Sequence, residues 1–363
     1  MTTTPEGALP VTLPAQQPAR GRPPGPGDDF CARLWSELLA DELPRYEGIL
    51  DTALAPQRPY LTENEYALYG SGKRLRPAVL LLCARLAQES GPLPEKALRG
   101  AVSLEMLHIA TLVHDDVVDG SALRRGLPSV NAVRGTETAV LVGDLQFVQA
   151  VRGFADAIEH GDDMRLVRLV LDAAFEICCG ELDELTVDPS WDPAVLTDRY
   201  WRTAERKTAE LFGLAAESGV LLAGGHRSDA RRAGFYGRRI GRAFQVMDDL
   251  FDLVQDPADS GKPLGVDLLR RRASLPLIYA MAELGPGHRV SRVMRGEDLG
   301  DQDGPDGIRR VTAEIRASSG FARAYADARA QALDAIEHLR PFPAGRYRHA
   351  LEDLALHVVD RVP

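Results

Sequence analysis

Two groups of aspartates carry the chemical content of this chain. Asp115, Asp116 and Asp119 close an apolar stretch, LEMLHIATLVHDDVVDGSALRRG, that runs from Leu104 to Gly126. With 3.6 residues per helical turn, Asp115 and Asp119 stand one turn apart on one face, and Asp116 flanks them. Three carboxylates so close repel one another unless a cation sits among them. Hard oxygen donors in this number suit Mg2+, which shares carboxylates with the phosphates of a substrate. Acids at a helix C-terminus also oppose the macrodipole, so helix stability does not account for them. Taken alone, the stretch reads equally well as a solvated acidic helix end. A second copy changes the weighting: QVMDDLFD, Gln245–Asp252, repeats the spacing with Asp248, Asp249 and Asp252 behind the helical pattern of Ile240, Ala243, Phe244 and Met247. Two helices facing one metal-filled cleft would require such a pair.

Cationic residues supply the complement. Gly72, Lys73, Arg74 and Arg76 lie in a glycine-containing turn before a helix predicted to start at Pro77. Backbone amides near a helix start, together with Lys and Arg, make an anion site; the plain alternative is a basic surface turn. His108, seven residues before Asp115, shares that helix face.

These residues need helices to position them, and from Phe30 onward nearly every segment reads as helix, with no period-2 strand run. Helical patterns cover Phe30–Leu54, Glu63–Tyr69, Pro77–Ala87, Pro94–Asp119, Glu137–Glu159, Arg165–Leu185, Pro193–Ala223 and Asp229–Leu253. Further ones cover Ser274–Leu284, Pro305–Ala317, Phe321–Leu339 and Arg346–Val362. Gly224–Gly225 and Gly285–Gly287 are stop signals, and Glu297–Asp306 reads as an acidic surface loop. The expected fold is all-α, a single large helical bundle around a central cavity, spanning residues 30–363. Residues 1–29, rich in Pro and Gly, are expected to form a disordered tail, either passive or a docking segment for a partner or enclosing shell.

Composition sets outer bounds. The 363 residues are 45% hydrophobic and 26% charged, enough for a large core, and the net charge of −10 argues against nucleic acid as a partner. An acidic protein that handles polyanions needs metal ions and locally placed Lys and Arg. Cys31, Cys83, Cys178 and Cys179 lack metal-ligand spacing and read as reduced core thiols. No apolar run reaches transmembrane length and no secretory signal opens the chain, so a cytoplasmic location is expected.

The motifs GSGKRLRP (Gly70–Pro77), HDDVVDGSALRRG (His114–Gly126), GD (Gly143–Asp144), KTA (Lys207–Ala209), FQVMDDLFD (Phe244–Asp252) and GKPLGVDL (Gly261–Leu268) occur in the order seen in the trans-polyprenyl diphosphate synthases, which the chain resembles from Phe30 to Arg361. That resemblance implies an isoprenoid-synthase bundle and a homodimer. It implies head-to-tail condensation of isopentenyl diphosphate with an allylic diphosphate to a longer all-trans prenyl diphosphate. It places isopentenyl diphosphate on Lys73, Arg76, His108 and Arg125, and the allylic diphosphate on Arg124, Lys207, Lys262 and the position of Arg272. Mg2+ would be held by the aspartate clusters, with Asp115, Asp119 and Asp248 as ligands, and Thr208 and Gln245 would face the developing positive charge. One departure stands out: many relatives continue after the last motif with Gly-Lys-x-Thr-Leu-Pro, whereas this chain has Arg271-Arg272-Ala273-Ser274-Leu275-Pro276. Arg272 keeps the charge and changes its geometry.

A class I terpene cyclase also ionises allylic diphosphates, but it has no use for a second diphosphate site and leaves GSGKRLRP and His108 unexplained. A non-catalytic regulatory subunit would be expected to have lost aspartates from one cluster; all six are present. For product length, relatives that stop early carry bulky aromatics four or five places before the first motif. Thr111 and Ala110 stand there, with Leu107 and Leu104 one turn deeper and Phe147 a possible barrier from across. One helical turn, about 5.4 Å, is comparable to one isoprene unit, so geranylgeranyl or longer is expected.

Overall fold

A computed structural model describes residues 26–70, 72–158, 164–254, 264–297 and 305–360. The first helix, α1 (Pro26–Arg33), begins inside the stretch expected to be irregular, and continues as a π-helical turn, Leu34–Leu38. The single helix predicted over Phe30–Leu54 is therefore interrupted, and α2 (Leu43–Leu54) restarts with Pro44 in its first turn, where a missing N–H is harmless. Next come α3 (Glu63–Gly70), α4 (Leu75–Ala87) and α5 (Glu95–Val118). Then follow a short hairpin of β1 (Leu123–Arg124) and β2 (Leu127–Pro128), α6 (Val130–Arg134) and α7 (Thr136–Asp156). After these come α8 (Met164–Leu185), α9 (Pro193–Ala204), a π-helical turn over Glu205–Ala209, α10 (Glu210–Leu222) and α11 (Arg227–Asp252). The chain closes with α12 (Val266–Leu269), α13 (Leu275–Leu284), α14 (Arg289–Met294), α15 (Pro305–Ala317), α16 (Ser319–Leu339) and α17 (Arg346–Asp360).

The core explains the order of the layers. α4, α5 and α10 bury residues on nearly every side and carry almost unbroken apolar stretches, which is the signature of interior helices. α5 packs on α7, α10 lies between α4 and α11, and α16 covers the outer side of α11. α11 turns Ala233, Tyr236, Ile240, Ala243, Met247 and Leu250 inward and leaves its arginines on the other face. The all-α expectation holds. The exception is the hairpin, whose two-residue strands are too short to show a period.

Two of the four cysteines correct the sequence reading. Cys31 and Cys83 are buried as expected, but Cys178 is exposed and Cys179 only partly covered. The helical pattern was real; the face was misjudged, because α8 turns a second apolar stripe outward. Among the described residues no helix is long and apolar enough to cross a membrane.

Candidate active site

The first aspartate group forms the last turn of α5. Asp119 is its C-cap and donates its backbone N–H to the Asp115 carbonyl at 2.8 Å. The three carboxylates do not behave alike. Asp116, 3% exposed, takes the guanidinium of Arg124, which donates Nε to Oδ1 at 3.0 Å and to Oδ2 at 3.1 Å, and Nη2 to Oδ1 at 2.5 Å. Asp119 pairs with Arg272 and lies 3.1 Å from Nη1 of Arg270. Asp115 approaches Glu181 of α8, and burial raises its carboxyl above the usual range against the pull of Lys207. Burial, then the Asp115 charge, lifts Glu181 to about 7.

Lys207 bridges two acids of α8 from the π-helical turn. Its Nζ donates to Glu181 at 2.8 Å and to Glu184 at 2.7 Å. The sequence pattern predicts one helix through Pro193–Ala223; the extra residue of the π turn rotates Lys207 and Thr208 inward, a common device at functional sites. Gly180 makes room for it, since a Cβ there would lie 2.7 Å from the Lys207 backbone nitrogen.

On the facing helix α11, Asp249 is 6% exposed and accepts from the Tyr200 hydroxyl at 2.6 Å and from Gln245 Nε2 at 2.9 Å. Gln245 in turn accepts from Thr208 Oγ1 at 2.6 Å, tying α11 to the π turn. Asp252 receives the backbone N–H groups of Val266 and Asp267, each at 3.0 Å, and so fixes the entry to α12. Asp248 is exposed and close enough to Arg76 to be felt there. Asp267, lifted by burial and then by Asp252 to about 7, completes this wall. A cavity of about 560 Å3 opens beside these acids, lined among others by Glu184, Tyr200, Lys207, Asp249, Asp267 and Arg272. Among the described residues no three acidic, imidazole or thiol side chains form a closed metal cage.

A cationic pocket adjoins this cleft. α4 begins at Leu75 rather than Pro77, because Arg74 takes a left-handed conformation (φ 49°) as its N-cap. Arg76 reaches α5, with Nη1 3.1 Å from His108 Nε2 and its guanidinium 4.5 Å from the centre of the Phe212 ring. Burial, then the charges of Arg76 and Arg125, hold His108 well below the usual imidazole range, so it enters as a neutral ring. Burial also lowers Arg76, to about 10. The hairpin carries the two other arginines: Arg125 (φ 52°) and Gly126 (φ 78°) form the two-residue turn, whose positive angles suit the twist of paired strands. Arg125 donates Nη1 to the Leu68 carbonyl at 3.0 Å, and a Cβ at Gly72 would collide with its guanidinium at 2.5 Å. The hairpin is moored to α5 through Asn131, which donates to the Asp116 carbonyl at 3.1 Å, and through the Ser129 hydroxyl, which donates to the Ser121 carbonyl at 2.6 Å.

Among the described residues the non-glycine positions with left-handed backbone are Arg74, Arg125 and Arg271, at φ 49°, 52° and 55°. Each such position is strained by about 1–2 kcal/mol, and all three adjoin the cleft or its pocket. At Arg271 the angle is one that glycine adopts without strain. Lys73 stands exposed at the pocket's rim, and Lys262 lies outside the described residues. Glu181, Glu184, Asp267, Tyr200 and Glu105 escaped the sequence reading; only the Glu-Leu-Asp-Glu run after the exposed cysteines hinted that α8 turns acids inward. His114, from the first motif, packs on Gly143 and lies 3.3 Å from Asp144, so the GD pair braces α7 against α5.

Comparison with known proteins agrees with this geometry. The polyprenyl synthetase family matches residues 58–303. The chain is 31% identical over 325 residues to heptaprenyl diphosphate synthase component 2 of Geobacillus stearothermophilus, covering 89% of this chain and 97% of that protein. A decaprenyl diphosphate synthase from Rhodobacter capsulatus superposes with a TM-score of 0.79 at 31% identity, over 92% of this chain and 99% of the other. A polyprenyl synthase from Caulobacter crescentus, solved with calcium and isoprenyl diphosphate, gives a TM-score of 0.78 at 30% identity, over 92% and 98%. The chain therefore belongs to the polyprenyl synthetase family and is a prenyltransferase that makes prenyl diphosphates.

Proposed function

We propose that this enzyme joins isopentenyl diphosphate head to tail with an allylic diphosphate in an Mg2+-dependent reaction, giving an all-trans product of geranylgeranyl length or longer. The observation that carries this is the separation of charge types. Acids of α5, α8, α11 and α12 are tied together through Lys207 and Arg272, while Arg76, His108 and Arg125 gather on the α4 side. One anion is thereby suited to metal and the other to guanidinium.

The donor set fits Mg2+. Asp115, Asp119 and Asp248 offer hard oxygens from two helices without a closed cage, as expected for an ion that keeps waters and takes phosphate oxygens as further ligands. Bound there, Mg2+ would neutralise charge on the departing diphosphate. The chain's own residues do the rest. Arg124, oriented by Asp116, and Lys207, Lys262 and Arg272 would hold the allylic diphosphate while the C–O bond breaks and the electron pair leaves with it. The Thr208 hydroxyl and the Gln245 amide present dipoles to the allylic cation. Lys73, Arg76, neutral His108 and Arg125 hold isopentenyl diphosphate so that its double bond attacks that cation; a proton is then lost from the new C5 unit. Apolar walls keep water from the cation. Incubating the protein with Mg2+, isopentenyl diphosphate and each short allylic diphosphate, then sizing the products, tests the reading. Cyclic hydrocarbon without elongation, or no turnover of any pair, would overturn it.

The growing chain would run back along α5 past Thr111 and Ala110. Leu107 and Leu104, both fully buried, stand one and two turns deeper. The relatives' names, heptaprenyl and decaprenyl, support a long product. A homodimer is supported by the outer face of α8, where Leu171, Phe175, Cys178, Leu182 and Leu185 recur at helical spacing and Phe175 is 67% exposed. Such a stripe calls for a partner. Light scattering should give twice the chain mass of 39.6 kDa; the mass of one chain would contradict it. A cytoplasmic enzyme is our reading of location, with the tail as a dispensable or docking segment.

A further inference from the structure

Glu105 stands in the apolar middle of α5, between Leu104 and Met106, and is 2% exposed. A carboxylate in such a place is penalised by several kcal/mol unless it is paired. It lies one turn before His108 on the same helix face, under the cationic pocket. Burial raises its carboxyl above the usual range, and the charges of Arg125, Arg76 and Arg74 oppose that rise. The phenols of Tyr46 and Tyr69 also feel its charge. Around it, the Tyr46 hydroxyl and the Nε atoms of Arg74 and Arg76 are buried with no hydrogen-bond partner among the described residues. Glu105 is therefore a buried acid among cationic side chains that still hold unused donors.

We propose that Glu105 is a positioning residue for the homoallylic substrate: its carboxylate is the counter-charge that gathers Arg76 and Arg125 beside His108 before the diphosphate arrives. The proposal rests on the assignment of isopentenyl diphosphate to that pocket. Without an anion beneath them, guanidinium groups in a low-dielectric pocket repel one another, and Arg125 is already held in a strained backbone conformation. With it, they stand ready, and binding need not gather them. The opposing effect is repulsion between Glu105 and the incoming diphosphate. The arginines lie between the two anions and shield one from the other, so preorganisation wins.

The test is calorimetric binding of isopentenyl diphosphate alone, without allylic substrate or Mg2+, to the full-length Glu105→Gln enzyme, with steady-state kinetics alongside. The neutral isostere keeps the volume and removes the charge. Binding should weaken about tenfold or more, and the KM for isopentenyl diphosphate should rise in step. The KM for the allylic diphosphate should stay near wild type, and Glu105→Asp should recover part of the loss. Unchanged or tighter binding by Glu105→Gln would overturn the proposal, as would equal rises in both KM values. Arg76→Ala separates the two layers of inference. If it weakens isopentenyl diphosphate binding while Glu105→Gln does not, the counter-charge idea falls and the substrate assignment stands; if neither does, the assignment itself falls.

Discussion

On the α4 side of the reaction centre, arginines and a neutral histidine are held in place before any substrate arrives, with Arg74 and Arg125 in left-handed conformations and Arg76 resting on His108 and Phe212. On the other side, at the C-terminal end of α5 and the π turn that faces it, Asp116 is occupied by Arg124, Asp119 by Arg270 and Arg272, and Lys207 by Glu181 and Glu184. Under the proposed function, the first region stands ready for an anion, and the second, internally neutralised, would exchange its ion pairs for metal and phosphate. The difference is one of means: left-handed backbone holds Arg74 and Arg125, whereas ion pairs hold the aspartates, with Arg271 adding one left-handed position beside them.

The largest expected effect is on the exchangeable side. Asp115→Asn or Asp248→Asn should lower turnover by orders of magnitude at saturating Mg2+. Melting temperature should hold or rise for Asp115→Asn, because a buried carboxylate beside Glu181 is lost. Near-native turnover would remove that aspartate from the metal site. Next come Lys73→Ala and Arg76→Ala. Each should weaken isopentenyl diphosphate by about 1.5–3 kcal/mol, roughly ten- to more than a hundredfold, with allylic binding much less affected. Equal losses for both substrates in initial-rate kinetics would erase the distinction between the two regions.

A change in product is expected from the wall beneath the first motif. Ala110→Phe should shift chromatographed products shorter and Leu107→Ala longer. An active Ala110→Phe enzyme with an unchanged product distribution would put the floor on another helix. The smallest effect concerns strain. Arg271→Gly should relieve the left-handed backbone and raise stability by up to about 1 kcal/mol in denaturant unfolding, leaving turnover unaltered. Destabilisation would mean that the guanidinium packed against Gly296 matters more than the backbone angle.

The bundle was legible because long apolar periods survive in any helix that is buried, and the aspartate pairs because their spacing repeats. Local devices were not. The Arg125–Gly126 turn joins strands of two residues each, which leave no alternation to read. The π turn at Lys207 lies inside an uninterrupted helical pattern, so the pattern predicts straight passage where the chain inserts a residue. Glu105 and Glu181 look like surface acids in the sequence, since the cations that justify burying them come from other helices. Cys178 shows the converse error: an apolar stripe reads as core whether it faces the bundle or the outside.

The central claim is that the two diphosphates meet different chemistry, one guanidinium and the other metal. Calorimetry with isopentenyl diphosphate and with an unreactive allylic thiodiphosphate, each with and without Mg2+, tests it directly. The expected result is isopentenyl diphosphate binding that barely changes when Mg2+ is withheld, together with allylic binding that is lost. Equal dependence of both ligands on Mg2+, or of neither, would contradict the account.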